Sequence, residues 1–377
     1  MKNSRFLALA AAAGLLLIGG CGGRQGDYVI GATLPLTGDA AQWGIPPSRG
    51  AELAVKQINE AGGIHGRKLK LVTEDTRCHP KDGVSAYRKL TQSVHPAAIV
   101  GGVCSSVTLA IAPLAERDGV VLVSPASTNP KISQAGRFIF RVIPSDDLRG
   151  KAFARYLHDQ VGLKKVAILY VNNEGGVGNK ESFSRTFTSL GGKVVAAEGY
   201  AQEATDLRAQ LTKIKGMDCQ AVVVVSYPKD TVLVMKQSRE IGLGLPLYFQ
   251  TEAVEDPSVL RDAGKAAEGA LYILPAQASG DTVKRFKEAY KKAYGKDPEL
   301  FAAEAYDAVQ LIAAAFRSLP AKEKVTGDPV RRYLEGVKKY QGASGVITFD
   351  KNGDVVKPMA IKKIQNGKPV LVTTIGG

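Results

Sequence analysis

Five consecutive apolar residues, Ala221-Val222-Val223-Val224-Val225, show none of the two-residue alternation of a strand with one face in water. Such a strand is buried on both faces, which places it in a parallel sheet covered by helices on either side. The flanking sequence has the matching rhythm: residues 166–171 and 193–197 read as strands, and residues 177–190, 207–215 and 231–241 as amphipathic helices. The same alternation runs earlier in the chain. Strands are expected at 28–34, 68–72, 97–101, 120–123 and 138–142, with helices at 49–61, 81–93 and 106–117. Two doubly wound α/β units in tandem predict two lobes with a cleft between them, where small-ligand sites are favoured.

Beyond a strand at 271–274 come three helical stretches, at 282–294, 302–319 and 329–337. Ala305, Val309, Ile312 and Phe316 form an apolar stripe on the middle one. Short strands are expected at 345–349, 359–364 and 369–374, with Asn352-Gly353 as a tight hairpin turn. The spacing Asp350-x-Asn352-x-Asp354 hints at a calcium loop. The sixth position is Val355 rather than glycine and the twelfth is Ile361 rather than glutamate, so the hairpin reading prevails.

The N-terminus reads as an export signal. Residues 6–20 are apolar and follow Lys2 and Arg5; the run spans about 22 Å as a helix, short of the ~30 Å hydrocarbon core, and so reads as a secretory leader over 1–20. Small residues lead to Cys21, whose thiol can carry a lipid, and 21–27 would be an anchor and tether. The net charge of +14 is spread along the chain rather than gathered in a patch, which argues for solubility and against a nucleic-acid partner. Of the other cysteines, Cys78 and Cys104 follow strands of the same half and are the favoured bridge in an oxidising compartment; Cys219 reads as a small buried hydrophobe. Without a CxxC and without paired histidines, no metal or other cofactor is expected.

Hydrolase, metalloprotease and nucleotide-loop motifs are absent, so enzymatic chemistry has no visible machinery. The loop Gly175-Gly176-Val177-Gly178 lacks the spacing of a phosphate cradle. Polar loops at strand ends are more informative. Cys104-Ser105-Ser106 opens a helix and either caps it or offers hydroxyl and amide donors to an anion. Ser124-Pro125-Ala126-Ser127-Thr128-Asn129-Pro130 is stiffened by proline at both ends, which suits either a rigid turn or a pre-ordered binding shelf. Glu252 follows a strand in the second half and is either solvated surface or, in a closing cleft, a carboxylate that would meet a cation. Trp43, in a polar loop at 38–44, is either a cleft wall or a cover for the core edge.

Ala41-Gln42-Trp43-Gly44, Gly50-Ala51-Glu52, Ile58-Asn59-x-x-Gly62-Gly63-Ile64-x-Gly66, Cys104-Ser105-Ser106 and the 124–130 loop together resemble the leucine/isoleucine/valine-binding proteins of bacterial ABC importers. The resemblance implies a type I periplasmic-binding-protein fold: α/β, two Rossmann-like lobes with parallel sheets, and a three-crossover hinge. It divides the chain into lobe 1 (28–145 and 275–347) and lobe 2 (146–274 and 348–377), with crossovers near 143–147, 273–276 and 347–350. It also implies a Cys78–Cys104 bridge, a monomer at the periplasmic face of a membrane, an amino-acid ligand, and a permease in the inner membrane as partner. Within the site it implies that Ser105, Thr128 and the Ala126 backbone, in the loop with Ser127, hold the carboxylate and ammonium of the ligand. Glu252 would pair with the ammonium, Tyr227 would add a hydroxyl, and Trp43 would line the side-chain pocket. Where the family has a tyrosine over the ligand, this sequence has Gly175, which predicts extra volume and a shifted side-chain preference. The alternative is an extracytoplasmic sensor of the same fold for an amide, urea or aromatic acid.

Overall fold

A computed structural model describes residues 26–376. The leader, Cys21 and most of the tether lie outside the described residues. Among those described, no helix is long and apolar enough to cross a membrane.

The first sheet is five-stranded and fully parallel, in the order β2-β1-β3-β4-β5. It contains β1 (Tyr28–Leu34), β2 (Leu69–Asp75), β3 (Ala98–Gly101), β4 (Val121–Ser124) and β5 (Ile139–Arg141). Its helices are α1 (Ala41–Glu60), α2 (Pro80–Ser93) and α3 (Ser105–Asp118). Helix α2 begins at Pro80, where the missing N–H costs no helical bond, and α3 ends on Gly119 in the left-handed conformation, φ 64°.

Helix α1 starts well before the expected residue 49 and runs through Pro46 and Pro47, both buried. Trp43 therefore stands in the first turn of a helix, not in a loop. Each proline removes one backbone donor, and burial of the segment against the fold outweighs that loss. Gly50 allows α1 to press on the start of a later helix: a Cβ there would fall 2.0 Å from the Ala302 carbonyl oxygen.

The second sheet has seven strands, β14-β13-β10-β9-β8-β6-β7. Helix α4 (Asp146–Arg155) leads into β6 (Lys165–Val171), α5 (Glu174–Ser189), β7 (Lys193–Tyr200), α6 (Arg208–Lys215) and β8 (Ala221–Val225). The chain continues through α7 (Pro228–Glu240), β9 (Leu247–Phe249), α8 (Pro257–Ala263) and β10 (Leu271–Pro275). Strand β8 is buried along its whole length between β6 and β9, as its uninterrupted valines require.

Three helices follow, α9 (Asp281–Tyr294), α10 (Ala302–Ser318) and α11 (Gly327–Glu335). They pack on the first sheet and its helices: α10 lies against α1, β3 and β4, and α11 against β4. The apolar stripe Ala305, Val309, Ile312 and Phe316 is buried in that contact. A small hairpin, β11 (Tyr340–Gly342) with β12 (Gly345–Ile347), precedes β13 (Met359–Gln365) and β14 (Lys368–Ile375), which extend the second sheet antiparallel.

The expected hairpin at Asn352-Gly353 is not one. Those residues form a turn that leads to the second sheet, with the Gly353 carbonyl accepting from Arg141 N. Asp354 there takes two hydrogen bonds from the fully buried Arg141 guanidinium, through Nε at 2.6 Å and Nη2 at 2.9 Å, which fastens this return of the chain to the end of β5. The tight turn lies instead at Asn366-Gly367, both at positive φ (53° and 72°), between β13 and β14. Cys78 and Cys104 form a disulfide, and Cys219 is free and half-buried rather than fully buried.

Candidate ligand-binding site

The C-terminal ends of β3 and β4 deliver two polar segments to one side of the cleft. Cys104 takes the N-cap position of α3, and Ser105 opens the helix with its hydroxyl accepting from Asn129 N at 3.2 Å. This leaves the Ser105 proton to donate elsewhere. Ser124 stiffens the second loop from within: its Oγ donates to the Gly102 carbonyl at 2.6 Å and accepts from Ser127 N at 2.9 Å. A shelf so tied is ordered before any ligand arrives.

A cavity of about 40 Å³ separates this shelf from the ends of β6, β8 and β9. Ser105, Ala126, Thr128 and Trp43 line one side of it, and Gly175, Tyr227 and Glu252 the other. Seven of the eight residues singled out in the sequence thus converge. Ser127 does not: its hydroxyl turns inward, within 2.9 and 3.0 Å of the Gly102 and Val103 carbonyls and 2.7 Å from Thr108 Oγ1, and it is fully buried. Ser127 braces the loop.

Tyr227 precedes α7 and reaches back across the cleft. Its ring meets Trp43 edge-on, with centroids 4.5 Å apart, and Trp43 also meets Phe301 edge-on at 5.9 Å. The Tyr227 hydroxyl accepts from Asn173 Nδ2 at 2.9 Å, and burial pushes its pKa up to about 12, so it stays a neutral donor. A Cβ on Gly175 would lie 3.4 Å from Asn173 Oδ1, 3.5 Å from the Tyr227 hydroxyl and 3.9 Å from Ser105 Oγ. The expected extra volume is therefore not an open void, because Tyr227 and Asn173 close over the glycine.

Glu252 is 4% exposed, at the start of a short 3-10 turn capped by Thr251. Its carboxylate is already matched: Oε2 accepts from Arg149 Nη1 at 2.5 Å. Arg149, on α4, also lines the cavity and is 3% exposed. Asp146, one helical turn earlier and fully buried, lies 3.8 Å from Arg149 Nε. Its Oδ2 accepts from Asn179 Nδ2 at 2.7 Å, while the Thr128 carbonyl accepts from Asp146 N at 2.8 Å. Burial opposes the charge on Arg149, but the carboxylates of Glu252 and Asp146 outweigh it and raise its pKa. Burial lifts the Asp146 carboxyl to about 6, with Arg149 pulling the other way.

Two acids face one guanidinium, which leaves about one unit of negative charge in the cleft at neutral pH. The sequence reading missed Arg149, along with Asn179, Ser226, Gln250, Thr251 and Phe301, which also line the cavity. The only sequence signal for Arg149 was its spacing three residues after Asp146 at the head of a helix.

The raised Asp146 pKa predicts a pH dependence of stability. Below the ordinary carboxylate range, Asp146 is protonated whether the chain is folded or not, and burial then carries no charge penalty. As pH rises from 4 to about 6 the unfolded chain ionises first, so stability is lost, on the order of 2–3 kcal/mol from this group. Asp146→Asn remains uncharged throughout. In thermal melts at pH 4, 5, 6 and 7 the variant should gain on the parent with rising pH and level off above 6.

The sequence profile described as "Periplasmic binding protein" matches residues 27–369, and the chain belongs to that family. The leucine-, isoleucine-, valine-, threonine-, and alanine-binding protein of Pseudomonas aeruginosa is 30% identical over 325 residues, covering 85% of each chain. Among solved structures, a leucine binding protein from Thermotoga maritima superposes with a TM-score of 0.84 at 28% identity, covering 92% of this chain and 98% of the other. A branched-chain amino acid transporter substrate binding protein from Streptococcus pneumoniae, in complex with isoleucine, gives 0.81 at 28% identity over 93% and 99%. The fold is that of a type I periplasmic binding protein. The family is one of solute-binding proteins of the periplasm.

Proposed function

We propose that this protein captures a small α-amino acid between its lobes and delivers it to the membrane permease of an ABC importer, held at the membrane by a lipid on Cys21. The observation that carries the reading is the meeting of Glu252 from the second lobe with Ser105, Ala126 and Thr128 from the first, around one cavity. The hydroxyls and amides of the shelf suit a carboxylate. The excess negative charge of Glu252 and Asp146 over Arg149 suits an ammonium.

The moving bodies would be 28–145 with 275–347 and 146–274 with 348–376. In the structure these touch through Trp43 on Tyr227, Asn129 Nδ2 donating to the Glu174 carbonyl, and Lys229 with Asp39 at 3.0 Å. The cavity has room for little more than water, so a ligand enters by separation of the lobes. Closure is then favoured by contacts that only the closed form completes.

Calorimetry with amino acids and their des-amino analogues tests the reading. An α-amino acid should bind more tightly than its des-amino analogue, and Ser105→Ala should weaken that binding by about 0.5–3 kcal/mol through loss of a carboxylate donor. Unchanged affinity in the variant would remove the first-lobe shelf from the site. The pairing of Arg149 with Glu252 supports a second reading, a small acid without an ammonium; tighter binding of the des-amino analogues would establish it.

A further inference from the structure

The guanidinium of Arg149 is only partly used. Nη1 donates to Glu252, but Nε and Nη2, both buried, make no hydrogen bond. Asp146 Oδ1 is likewise without a hydrogen-bond partner, and its 3.8 Å from Nε is too long for one. Buried donors in a native site are nearly always satisfied, and leaving one unmade costs about 1–3 kcal/mol, more beside a charge. Nε–H and Nη2–H point the same way along one edge of the guanidinium, a fork that fits the oxygen of a carboxylate or carboxamide.

We infer that Arg149 is a specificity-determining residue whose free edge holds an oxygen acceptor on the ligand side chain, so that the preferred ligand is an α-amino acid bearing a side-chain carbonyl or carboxylate rather than an aliphatic one. The inference rests on the amino-acid reading above. Because Glu252 adjoins both the ammonium position and Arg149, the acceptor lies close to the α-carbon, which suits side chains of two or three carbons. An aliphatic side chain would cover the same edge without bonding it, and the buried donors would stay unpaired through closure. The charge count favours the carboxamide: a zwitterion is neutral overall and leaves the cleft at about one unit of negative charge, which a side-chain carboxylate would double.

The test is calorimetric titration of the full mature chain with asparagine, glutamine, aspartate, glutamate, leucine and valine, together with succinate and succinamate as ammonium-free controls. At least one of the four oxygen-bearing amino acids should bind tenfold or more tightly than leucine and valine. Arg149→Lys, which keeps the charge beside Glu252 but lacks the paired edge, should cut that advantage at least fivefold. The amide and acid arms separate the two acceptor chemistries, and either in the lead upholds the inference. Leucine or valine binding as tightly as the best of the four overturns it and leaves the amino-acid reading intact. Binding of the ammonium-free acids alone overturns both. The parent protein's own ranking decides the matter even if the lysine variant does not fold, and an unchanged ratio in a folded variant removes the role from Arg149.

Discussion

Replacing Glu252 with alanine should destabilise the fold by about 3–5 kcal/mol, a large loss for a side chain that the sequence marks only as a ligand contact. The reason is Arg149. Its guanidinium is 3% exposed, and Glu252 supplies its one close carboxylate; Asp146, at 3.8 Å, offers Coulombic attraction without a hydrogen bond. Removing the acid leaves a buried cation without its hydrogen-bonded carboxylate, its desolvation only partly offset by Asp146. The same change should weaken amino-acid binding by about 2–5 kcal/mol, since the ammonium loses its partner from the second lobe. Glu252→Gln keeps volume and an acceptor oxygen, so it should lose less stability than alanine while still losing ammonium affinity. Urea unfolding followed by fluorescence gives the first quantity and calorimetry the second. An alanine variant with the parent's midpoint and slope would mean that Arg149 finds water or another acceptor, and that the pair contributes nothing to the fold.

The contrast between these two residues shows what a sequence of this kind discloses. The position of Glu252 was legible because it follows a strand end, and loops at strand ends face the crevice of doubly wound sheets; its expected pairing with an ammonium came from the family resemblance, since a lone glutamate there reads equally as solvated surface. The buried strand β8 was legible for a similar reason: five apolar residues in a row have one low-energy placement. Arg149 was not. In Asp146-Asp147-Leu148-Arg149 it looks like any basic residue on a polar helix face, and its setting depends on segments far apart in the chain, which place Glu252 against it and Asn179 and Thr128 against Asp146 one turn earlier.

The return of α9, α10 and α11 to the first lobe was equally invisible to periodicity, which reports that a face is apolar but not which surface covers it. Resemblance supplied that topology. Ser127 shows the opposite limit: the loop composition marked every hydroxyl as a candidate, and only the geometry separates those that face the cleft from those that hold the loop together.

Replacing both Cys78 and Cys104 with alanine should cost about 3–4 kcal/mol of stability, the chain-entropy expectation for their sequence separation of 26. The bridge does more than shorten the unfolded chain. Cys104 is the N-cap residue of α3 and lines the cavity, so it sets the position of Ser105 beside it. Cys78 follows β2, and its Sγ lies 4.0 Å from the Tyr227 hydroxyl of the opposite lobe. The disulfide therefore connects the segment that carries Ser105 to the neighbourhood of Tyr227 across the cavity. Loss of the bridge should accordingly lower ligand affinity as well as the unfolding midpoint, whereas a purely entropic staple would lower the midpoint alone. Treating the parent protein with a thiol reductant should reproduce both effects, and the double variant should be indifferent to the reductant. A reduced protein of lower stability but unchanged affinity would show that α3 and its first serine keep their place without the bridge, held by the Ser105–Asn129 bond and the packing of Val107 and Ile111 in the first-lobe core.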